Sequence, residues 1–370
     1  MKGEVLSRRT LNRTLLERQM LLRRTSRSPE RAIEDLVGMQ AQVPGNPYIA
    51  LWSRLDDFEP DDLSTLISKR GAVRMTLMRA TIHLVTADDA LALRPVMQPV
   101  LERNFYSGSP FGRRIPGADI SAILSVGRQL VGEHPRTAAQ LRGLLGERWP
   151  EEDAEALSMA VRLLVPMVQV PPRGLWKASG QPTWSALEDW LGRPLRGEAD
   201  VDRVVLRYLA AFGPATVADI RTWSGLGGLR EVSDRLRPNL RTFRDENGRE
   251  VIDLPEAPIA DPETPAPPRF LPEYDNVLLS HADRGRVVEE AARFAMSREN
   301  AFWSTVLVDG FVAAIWRLRE EANIVTLEIT PWQALSAMDR QAVEEEGRRL
   351  LAFLAPDAIS REVRLSKRED

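Results

Sequence analysis

Two glutamines stand two residues apart, Gln40 and Gln42, in the segment MQAQVP. The apolar spacing after Pro29 predicts a helix that carries Gln40 on its buried stripe. That helix should end near Gln42, because Pro44 disfavours the helical conformation of the residue before it. A buried glutamine costs stability unless it is hydrogen-bonded or faces a cleft. Two interpretations stay open: the amides cap backbone groups, or they form a pair of neutral polar groups that face one cavity from an extended chain end.

A second polar cluster lies in the segment LPEYDNVLLSHADR at residues 271–284. It places Glu273, Asp275 and Asp283 near His281, and a carboxylate–histidine pair could do acid–base work. A lone histidine beside arginine is more typical of a hydrogen-bonded structural residue or of a phosphate contact. The pattern therefore leaves the role of His281 open.

Several kinds of chemistry are disfavoured by composition. The chain has 0 cysteines and 3 histidines that lie far apart, so neither a thiolate nor a zinc centre is expected. The glycines at 225, 227 and 228 do not form a phosphate-binding loop, because no strand precedes them and no Lys-Ser or Lys-Thr follows. We therefore expect no metal and no cofactor.

Length and composition are those of an ordinary globular protein. The 370 residues are 43% hydrophobic and 28% charged, which suggests two or three domains with ample core. No apolar run is long enough for a transmembrane helix, and the first residues have no apolar signal core. We expect a cytoplasmic protein that does not contact a membrane.

Positive charge is concentrated in arginine. The net charge is −3, yet residues 1–30 carry eight basic and three acidic side chains, and only four of the 50 basic residues are lysine. Compositional bias of a GC-rich bacterium explains this, and arginine also suits bidentate contacts with phosphate. The two explanations are compatible.

The clearest elements lie in residues 201–254. Helical spacing predicts a helix ended by Gly213 and Pro214, a second capped by Thr216, and a third with Leu229 on its inner face. Two strands follow, around the turn DENG at residues 245–248. Three helices and a hairpin are the order of a winged helix-turn-helix.

The same order recurs twice before this unit. Residues 119–165 predict three helices and residues 168–184 a hairpin, whereas the first unit has a helix opened by Ser28 and Pro29 and paired strands over 73–86. After a proline-rich connector, the turn Asp309-Gly310 joins two strands, and a helix follows over 338–353.

The predicted fold is mainly α with β-hairpin wings, an α+β protein of three tandem winged helix-turn-helix units and a small C-terminal α+β module. The predicted boundaries are 1–117 for the first unit, which holds the Gln-Ala-Gln segment, then 118–196, 197–254, a connector over 255–268, and the module over 269–370.

Five segments carry a resemblance to a known family. They are residues 36–42 (LVGMQAQ), 79–86 (RATIHLVT), 208–223 (YLAAFGPATVADIRTW), 271–284 (LPEYDNVLLSHADR) and 308–316 (VDGFVAAIW). In this order they resemble the bacterial winged-helix DNA glycosylases of the AlkZ type, the azinomycin-resistance and crosslink-unhooking enzymes. The resemblance runs over essentially the whole chain.

The resemblance implies three winged helices that line a basic, duplex-sized cleft, and hydrolysis of the N-glycosidic bond of N7-alkylated guanine, crosslinked guanine included. The family signature, glutamine–aliphatic–glutamine, falls on Gln40 and Gln42 as the catalytic residues. Gln42 places the chain on the glutamine branch, since a sister branch has aspartate there. A β-hairpin in the cleft also matters in the family, and the region 281–286 and the hairpin at 309–310 are both candidates.

Phosphate contacts are expected from basic residues of the wings and helix ends. The candidates are Arg173 and Lys177 on the second wing, and His281, Arg284 and Arg286 near the third unit. The expected partner is double-stranded DNA with alkylated or crosslinked guanine, bound by a monomer.

Two other functions are compatible with the pattern. A winged-helix transcriptional regulator would bind one duplex sequence without chemistry, and this is the commoner use of the motif. A drug-sequestering resistance protein would bind free drug without DNA. The glutamine pair and the C-terminal module favour a glycosylase, which we expect to be monofunctional.

Overall fold

The computed structural model describes residues 4–289, 303–321 and 324–366. Its helices are α1 Arg8–Arg18, α2 Pro29–Asp35, α3 Asn46–Trp52, α4 Pro60–Ser68, α5 Ala87–Arg103, α6 Phe111–Arg114, α7 Ile120–Glu133, α8 Ala138–Arg148, α9 Ala154–Leu164, α10 Leu187–Leu191, α11 Val201–Phe212, α12 Val217–Ser224, α13 Leu229–Leu236, α14 Asn276–Leu279 and α15 Ala337–Leu354.

The strands alternate with these helices along the chain. They are β1 Val5–Leu6, β2 Met39–Gln40, β3 Ala72–Thr76, β4 Ile82–Thr86, β5 Arg136–Thr137, β6 Met167–Gln169, β7 Thr183–Ala186, β8 Arg241–Asp245, β9 Glu250–Asp253, β10 Arg269–Leu271, β11 Thr305–Val308, β12 Phe311–Glu321, β13 Ile324–Pro331 and β14 Ser360–Leu365. The chain is thus a mixed α/β protein.

The elements predicted for residues 201–254 are confirmed. Helices α11, α12 and α13 are followed by the antiparallel pair β8–β9. Thr216 caps α12 by accepting a hydrogen bond from the Asp219 amide, and Gly225 ends it in the left-handed conformation. These caps follow from the preferences of Thr and Gly for helix ends.

The helices and the hairpin predicted within residues 119–184 are also present. Asp119, Thr137 and Asp153 cap α7, α8 and α9 with their side chains. Strands β6 and β7 form an antiparallel pair. In the first region, Ser28 and Pro29 open α2 as cap and first helical residue.

The helix predicted to continue to Gln42 is wrong. Helix α2 ends at Asp35, and the chain then turns through Val37 and Gly38, which both have positive φ. A Cβ atom at Gly38 would lie 2.6 Å from Cγ1 of Val85, so no larger residue fits. The chain leaves this turn as strand β2 and pairs with β4, so Gln40 lies on a strand.

The hairpins β3–β4 and β6–β7 belong to one six-stranded sheet. Its strand order is β2-β4-β3-β6-β7-β5, and β3 joins the two halves by antiparallel pairing with β6. The C-terminal sheet has the order β10-β11-β12-β13-β14, with α15 packed on it. A third sheet adds β1 to the hairpin β8–β9 by parallel pairing. The sequence did not indicate these long-range joins, nor the helix α5 with its two internal prolines.

One ion pair is fully buried between distant parts of the chain. The guanidinium of Arg54, just after α3, donates two hydrogen bonds of 2.8 and 2.9 Å to the carboxylate of Asp275. Both side chains are 1% exposed. Loss of one partner leaves a buried charge uncompensated, which is far more costly than loss of an exposed pair.

We therefore expect Asp275→Asn to lower the free energy of unfolding by about 3 kcal/mol. The amide retains the size and the capping oxygen that accepts from the Val277 amide. Asp202→Asn is the matched control, because its pair with Arg235 is 34% and 58% exposed, and it should cost about 0.5 kcal/mol. Urea unfolding measures both, and equal losses would contradict the assignment.

Candidate active site

The side chain of Gln40 is buried and hydrogen-bonded to an arginine. It lies on β2 opposite His83 of β4, so the two side chains share one face of the sheet. The residue is 7% exposed. Its side-chain oxygen Oε1 accepts a hydrogen bond of 2.7 Å from Nη2 of Arg79. The buried glutamine is therefore satisfied by a charged donor, which fixes its amide orientation.

Arg79 itself belongs to a tight turn between β3 and β4. Arg79 and Ala80 both adopt left-handed backbone conformations, with φ of 55° and 57°. Two such residues in succession cost roughly 1–2 kcal/mol each, so the surrounding contacts must hold the turn in place. Nη1 of Arg79 donates to the carbonyl of Trp223 in α12. Burial lowers the pKa of Arg79 to about 10, and the group remains charged at neutral pH.

Gln42 lies beyond the end of β2 and is exposed. Its Oε1 accepts a hydrogen bond of 3.3 Å from the backbone amide of Ile82. A carbonyl oxygen has two lone pairs, so each glutamine retains acceptor capacity beyond the bond it makes. Two neighbouring parts of the chain thus hold the amides: the turn after β3 holds Gln40 through Arg79, and the first residue of β4, Ile82, holds Gln42.

A cavity of about 380 Å³ opens beside Gln42. Side chains of both hairpins and of α9 line it, including Arg74, Arg162, Gln169, Arg173 and Trp184. Gln40 is not among the residues that line this cavity. The structure therefore holds the two glutamines at the start of β4 and the turn before it, but opens only Gln42 into this cavity.

His83 is a buried neighbour of the glutamines that the sequence did not single out. Its Nδ1 lies 3.0 Å from the carbonyl oxygen of Thr81, which makes Nδ1 the donor and Nε2 the acceptor. Burial, and then the charge of Arg79, lowers the pKa of His83 to about 3. The imidazole is thus neutral at physiological pH. Its place in the segment 79–86 and its alternation with core residues were the only signals for it.

The predicted phosphate contacts of the second hairpin lie at the surface. Arg173 is half-buried at the rim of the cavity, and its Nη1 donates 2.9 Å to the carbonyl of Gly180. Lys177 is exposed, with Nζ 5.8 Å from the ring centre of Trp176. Both can reach a ligand from outside.

The predicted phosphate contacts near residue 281 differ in exposure. Arg284 is exposed, but His281 and Arg286 are 2% and 8% exposed. Nε2 of His281 lies 3.1 Å from the carbonyl of Phe212, and Nη1 of Arg286 donates 3.0 Å to that of Pro214. These two buried side chains contact backbone carbonyls at and just after the end of α11, so we do not include them among the proposed DNA contacts.

The two candidate hairpins also differ. Residues 276–286 form α14 and a short 3-10 turn, so the region 281–286 is not a hairpin and that expectation is wrong. Asp309 and Gly310 do join β11 to β12, and Asp309 is bound by Arg9 of α1. Strands β12 and β13 form a longer antiparallel pair, and the last five residues of β12 are exposed.

Neither a metal centre nor a membrane span appears in the part of the chain that the structure describes. No group of three or more His, Cys, Asp or Glu side chains is placed to hold an ion among residues 4–289, 303–321 and 324–366. Within the same ranges, no helix is both long and apolar enough to cross a bilayer.

Comparison with known proteins gives the family. Residues 33–353 match the family described as DNA glycosylase AlkZ-like. The chain therefore belongs to the AlkZ-like DNA glycosylase family, as the five segments indicated.

A similar protein is an interstrand DNA cross-link repair glycosylase of Streptomyces sahachiroi. It is 25% identical over 356 residues, which are 90% of this chain and 92% of the relative. The solved structure of the Streptomyces sahachiroi DNA glycosylase AlkZ has the same fold, with a TM-score of 0.79 and 20% identity. The match covers 99% of this chain and 100% of that one.

The two buried histidines predict an acid-sensitive fold. Burial lowers the pKa of His281 to about 3 as well, with further lowering by Arg286 and opposition from Asp219 and Asp283. The unfolded state takes up a proton at each histidine near pH 6.5, whereas the folded state does not until about pH 3. Their contribution is thus complete above pH 6.5 and is lost as the pH falls toward 3.

We expect the free energy of unfolding to fall between pH 7 and pH 5, with a slope approaching about 1.4 kcal/mol per pH unit for each histidine. His83→Asn retains a donor for the Thr81 carbonyl and removes the titration, so its slope should be about half that of the wild type. We expect the same reduction of the slope in His281→Asn. Urea unfolding across this range measures the slopes, and an unchanged slope in both variants would refute the interpretation.

Proposed function

We propose that this DNA glycosylase hydrolyses the N-glycosidic bond of N7-alkylguanine, including bulky adducts and interstrand crosslinks. It would act as a monofunctional enzyme and a monomer in the cytoplasm, for DNA repair or for self-resistance to a genotoxic natural product. The observation that carries the proposal is the glutamine pair held by Arg79 of the turn after β3 and by Ile82 at the start of β4. The name of the Streptomyces sahachiroi relative, a cross-link repair glycosylase, supports the choice of lesion.

The chemistry of the lesion suits a pair of amides. Alkylation at N7 gives guanine a positive charge, so the base leaves readily and no strong general acid is needed. The enzyme has to place a water molecule and to tolerate positive charge that develops on the deoxyribose. The free lone pairs of Gln40 and Gln42 can accept hydrogen bonds from that water. Amides do so without the desolvation cost of a buried carboxylate.

The groups around Gln40 fix its orientation and supply no negative charge of their own. The donor that orients Gln40 is Arg79, and the imidazole beside it is neutral His83. The hydrogen bonds that the two glutamine side chains make within the described residues involve no carboxylate. No carboxylate bound to the glutamines is therefore available to stabilise positive charge on the deoxyribose. The glycosidic bonds of unmodified purines are harder to break, so we expect that they are not cleaved.

Three winged-helix units would present the glutamines to the duplex. Each of the regions 1–117, 118–196 and 197–254 combines helices with a hairpin, and this order supports the assignment. An open surface suits the substrate, because a crosslinked base cannot be flipped into a closed pocket. Arg173, Lys177 and Arg284 lie at the surface and are the phosphate contacts that we retain.

We expect Gln42→Ala to lower single-turnover excision of N7-methylguanine from a duplex by about 100-fold, the usual effect of removing a positioned polar group. The dissociation constant for the intact duplex should stay within about twofold, because phosphate contacts dominate affinity. Alkali cleavage of abasic sites measures the rate. A parallel arm uses a nitrogen-mustard crosslinked duplex, and the ratio of the two rates identifies the preferred lesion.

Gln129→Ala, an exposed glutamine on α7, is the matched control and should retain the wild-type rate. Excision that survives in Gln42→Ala would remove this residue from the site. Wild-type protein that binds one duplex sequence tightly and excises neither lesion would instead support a transcriptional regulator. Binding of free drug without DNA would support a sequestering protein.

A further inference from the structure

The cavity beside Gln42 is lined by three arginines and no acidic residue. Arg74 comes from β3, Arg162 from α9, and Arg173 from the loop after β6. None of the residues that line it is Asp or Glu. Within the described ranges, none of the three guanidinium groups forms an ion pair, whereas Arg18, Arg24 and Arg54 elsewhere in the interior each face a carboxylate.

Arg74 is the most buried of the three. It is 2% exposed and lies between Leu84 and Gln169, its partners on the neighbouring strands. One nitrogen, Nη2, donates 2.8 Å to the carbonyl of Ala41, the residue between the two glutamines. Its Nε and Nη1 have no hydrogen-bond partner among the described residues. An unpaired buried cation is costly unless an anion completes the site.

The other arginines extend this charge toward the rim. The guanidinium of Arg162 lies over the ring of Trp184 at 4.4 Å, and its Nε has no partner among the described residues. Glu155, the carboxylate that attracts Arg162 at longer range, makes its ion pair with Arg114. Burial and the charge of Arg173 lower the pKa of Arg74 to about 10, which leaves it charged at neutral pH.

Charge decides what this cavity can bind. An N7-alkylated guanine is a cation, so three arginines disfavour it. A backbone phosphodiester carries one negative charge and two free oxygens that suit guanidinium donors. The hydrogen bond from Arg74 to Ala41 links such an anion directly to the backbone that carries the glutamines.

We propose that the cavity binds one backbone phosphodiester of the damaged strand and thereby sets the position of the lesion relative to Gln42. This inference rests on the proposed function for its substrate, since the phosphate belongs to the strand that is cleaved. In this arrangement Arg74 and Arg162 are positioning residues. They fix the strand, and the glutamines act on the sugar and the water.

The test combines single methylphosphonate substitutions with arginine variants. Each substitution removes the charge of one phosphate near an N7-methylguanine, and single-turnover excision is measured for wild type and for Arg162→Gln. At one position the methylphosphonate should slow the wild type by about 10-fold and have no further effect on Arg162→Gln, as expected for a contact in a double-mutant cycle. Effects that multiply at every position would overturn the proposal.

Arg162→Gln is the decisive variant, because Arg74→Gln also removes the hydrogen bond to Ala41 and can unfold the segment. Arg340→Gln, an exposed arginine of α15, controls for the change in net charge.

Binding to an intact duplex separates this inference from the proposed function. The slope of log Kd against log salt concentration should fall by about 1 in Arg162→Gln and stay unchanged in Arg340→Gln. That result would support the phosphate site even if the wild-type protein excised neither lesion. Absence of excision by the wild type would contradict the proposed function but not the phosphate site. Normal excision with an unchanged slope in Arg162→Gln would remove the phosphate site and leave the glycosylase.

Discussion

The contacts of Arg79 hold the candidate site together. Its guanidinium joins the oxygen of Gln40 to the carbonyl of Trp223, so one side chain links β2, the turn after β3 and the end of α12. Gly225, which ends α12, would place a Cβ 3.5 Å from the backbone of Arg79, so helix and turn are closely packed. The left-handed backbone of the turn is unfavourable by itself, and these contacts offset that cost. Gln40, for which we propose a catalytic role, is thereby anchored to the turn after β3 and to the end of α12, which lie more than a hundred residues apart.

Arginines with ion pairs and arginines without them have different places in this fold. Arg13 and Arg18 of α1 and Arg24 beyond it are bound by carboxylates of distant elements, and they connect the N-terminal region to the rest of the fold. The arginines of the cavity have no such partners within the described ranges. In the arrangement that we propose, the positively charged cavity binds the anionic strand, and the oxygens of the two neutral amides face the cationic lesion.

Much of the local structure was readable in the sequence. Thr216 marked the start of α12, Ser28 and Pro29 the start of α2, and DENG the turn between β8 and β9, because caps and turns depend on neighbours in sequence. The helix through Gln40 was wrong for the opposite reason, since Gly38 must pass closely against Val85 and only the fold sets that approach. The identities of Gln40 and Gln42 came from resemblance and local polarity. Residue spacing in the sequence does not identify Arg79 as the partner of Gln40 or His83 as its neighbour across the sheet. Nor does any sequence pattern distinguish a buried arginine with an ion pair from Arg74, which has none among the described residues.

The most direct test of this account is the rate of excision after the support of Gln40 is removed. Arg79→Lys retains the charge but cannot reach both Gln40 and Trp223. Arg103→Lys is the control, since within the described residues Arg103 donates to the Gly225 carbonyl and not to either glutamine. Single-turnover excision of N7-methylguanine should fall by about 10-fold or more in Arg79→Lys, with duplex affinity unchanged, and stay normal in Arg103→Lys. Wild-type excision by Arg79→Lys would contradict the claim that this turn positions the catalytic glutamines.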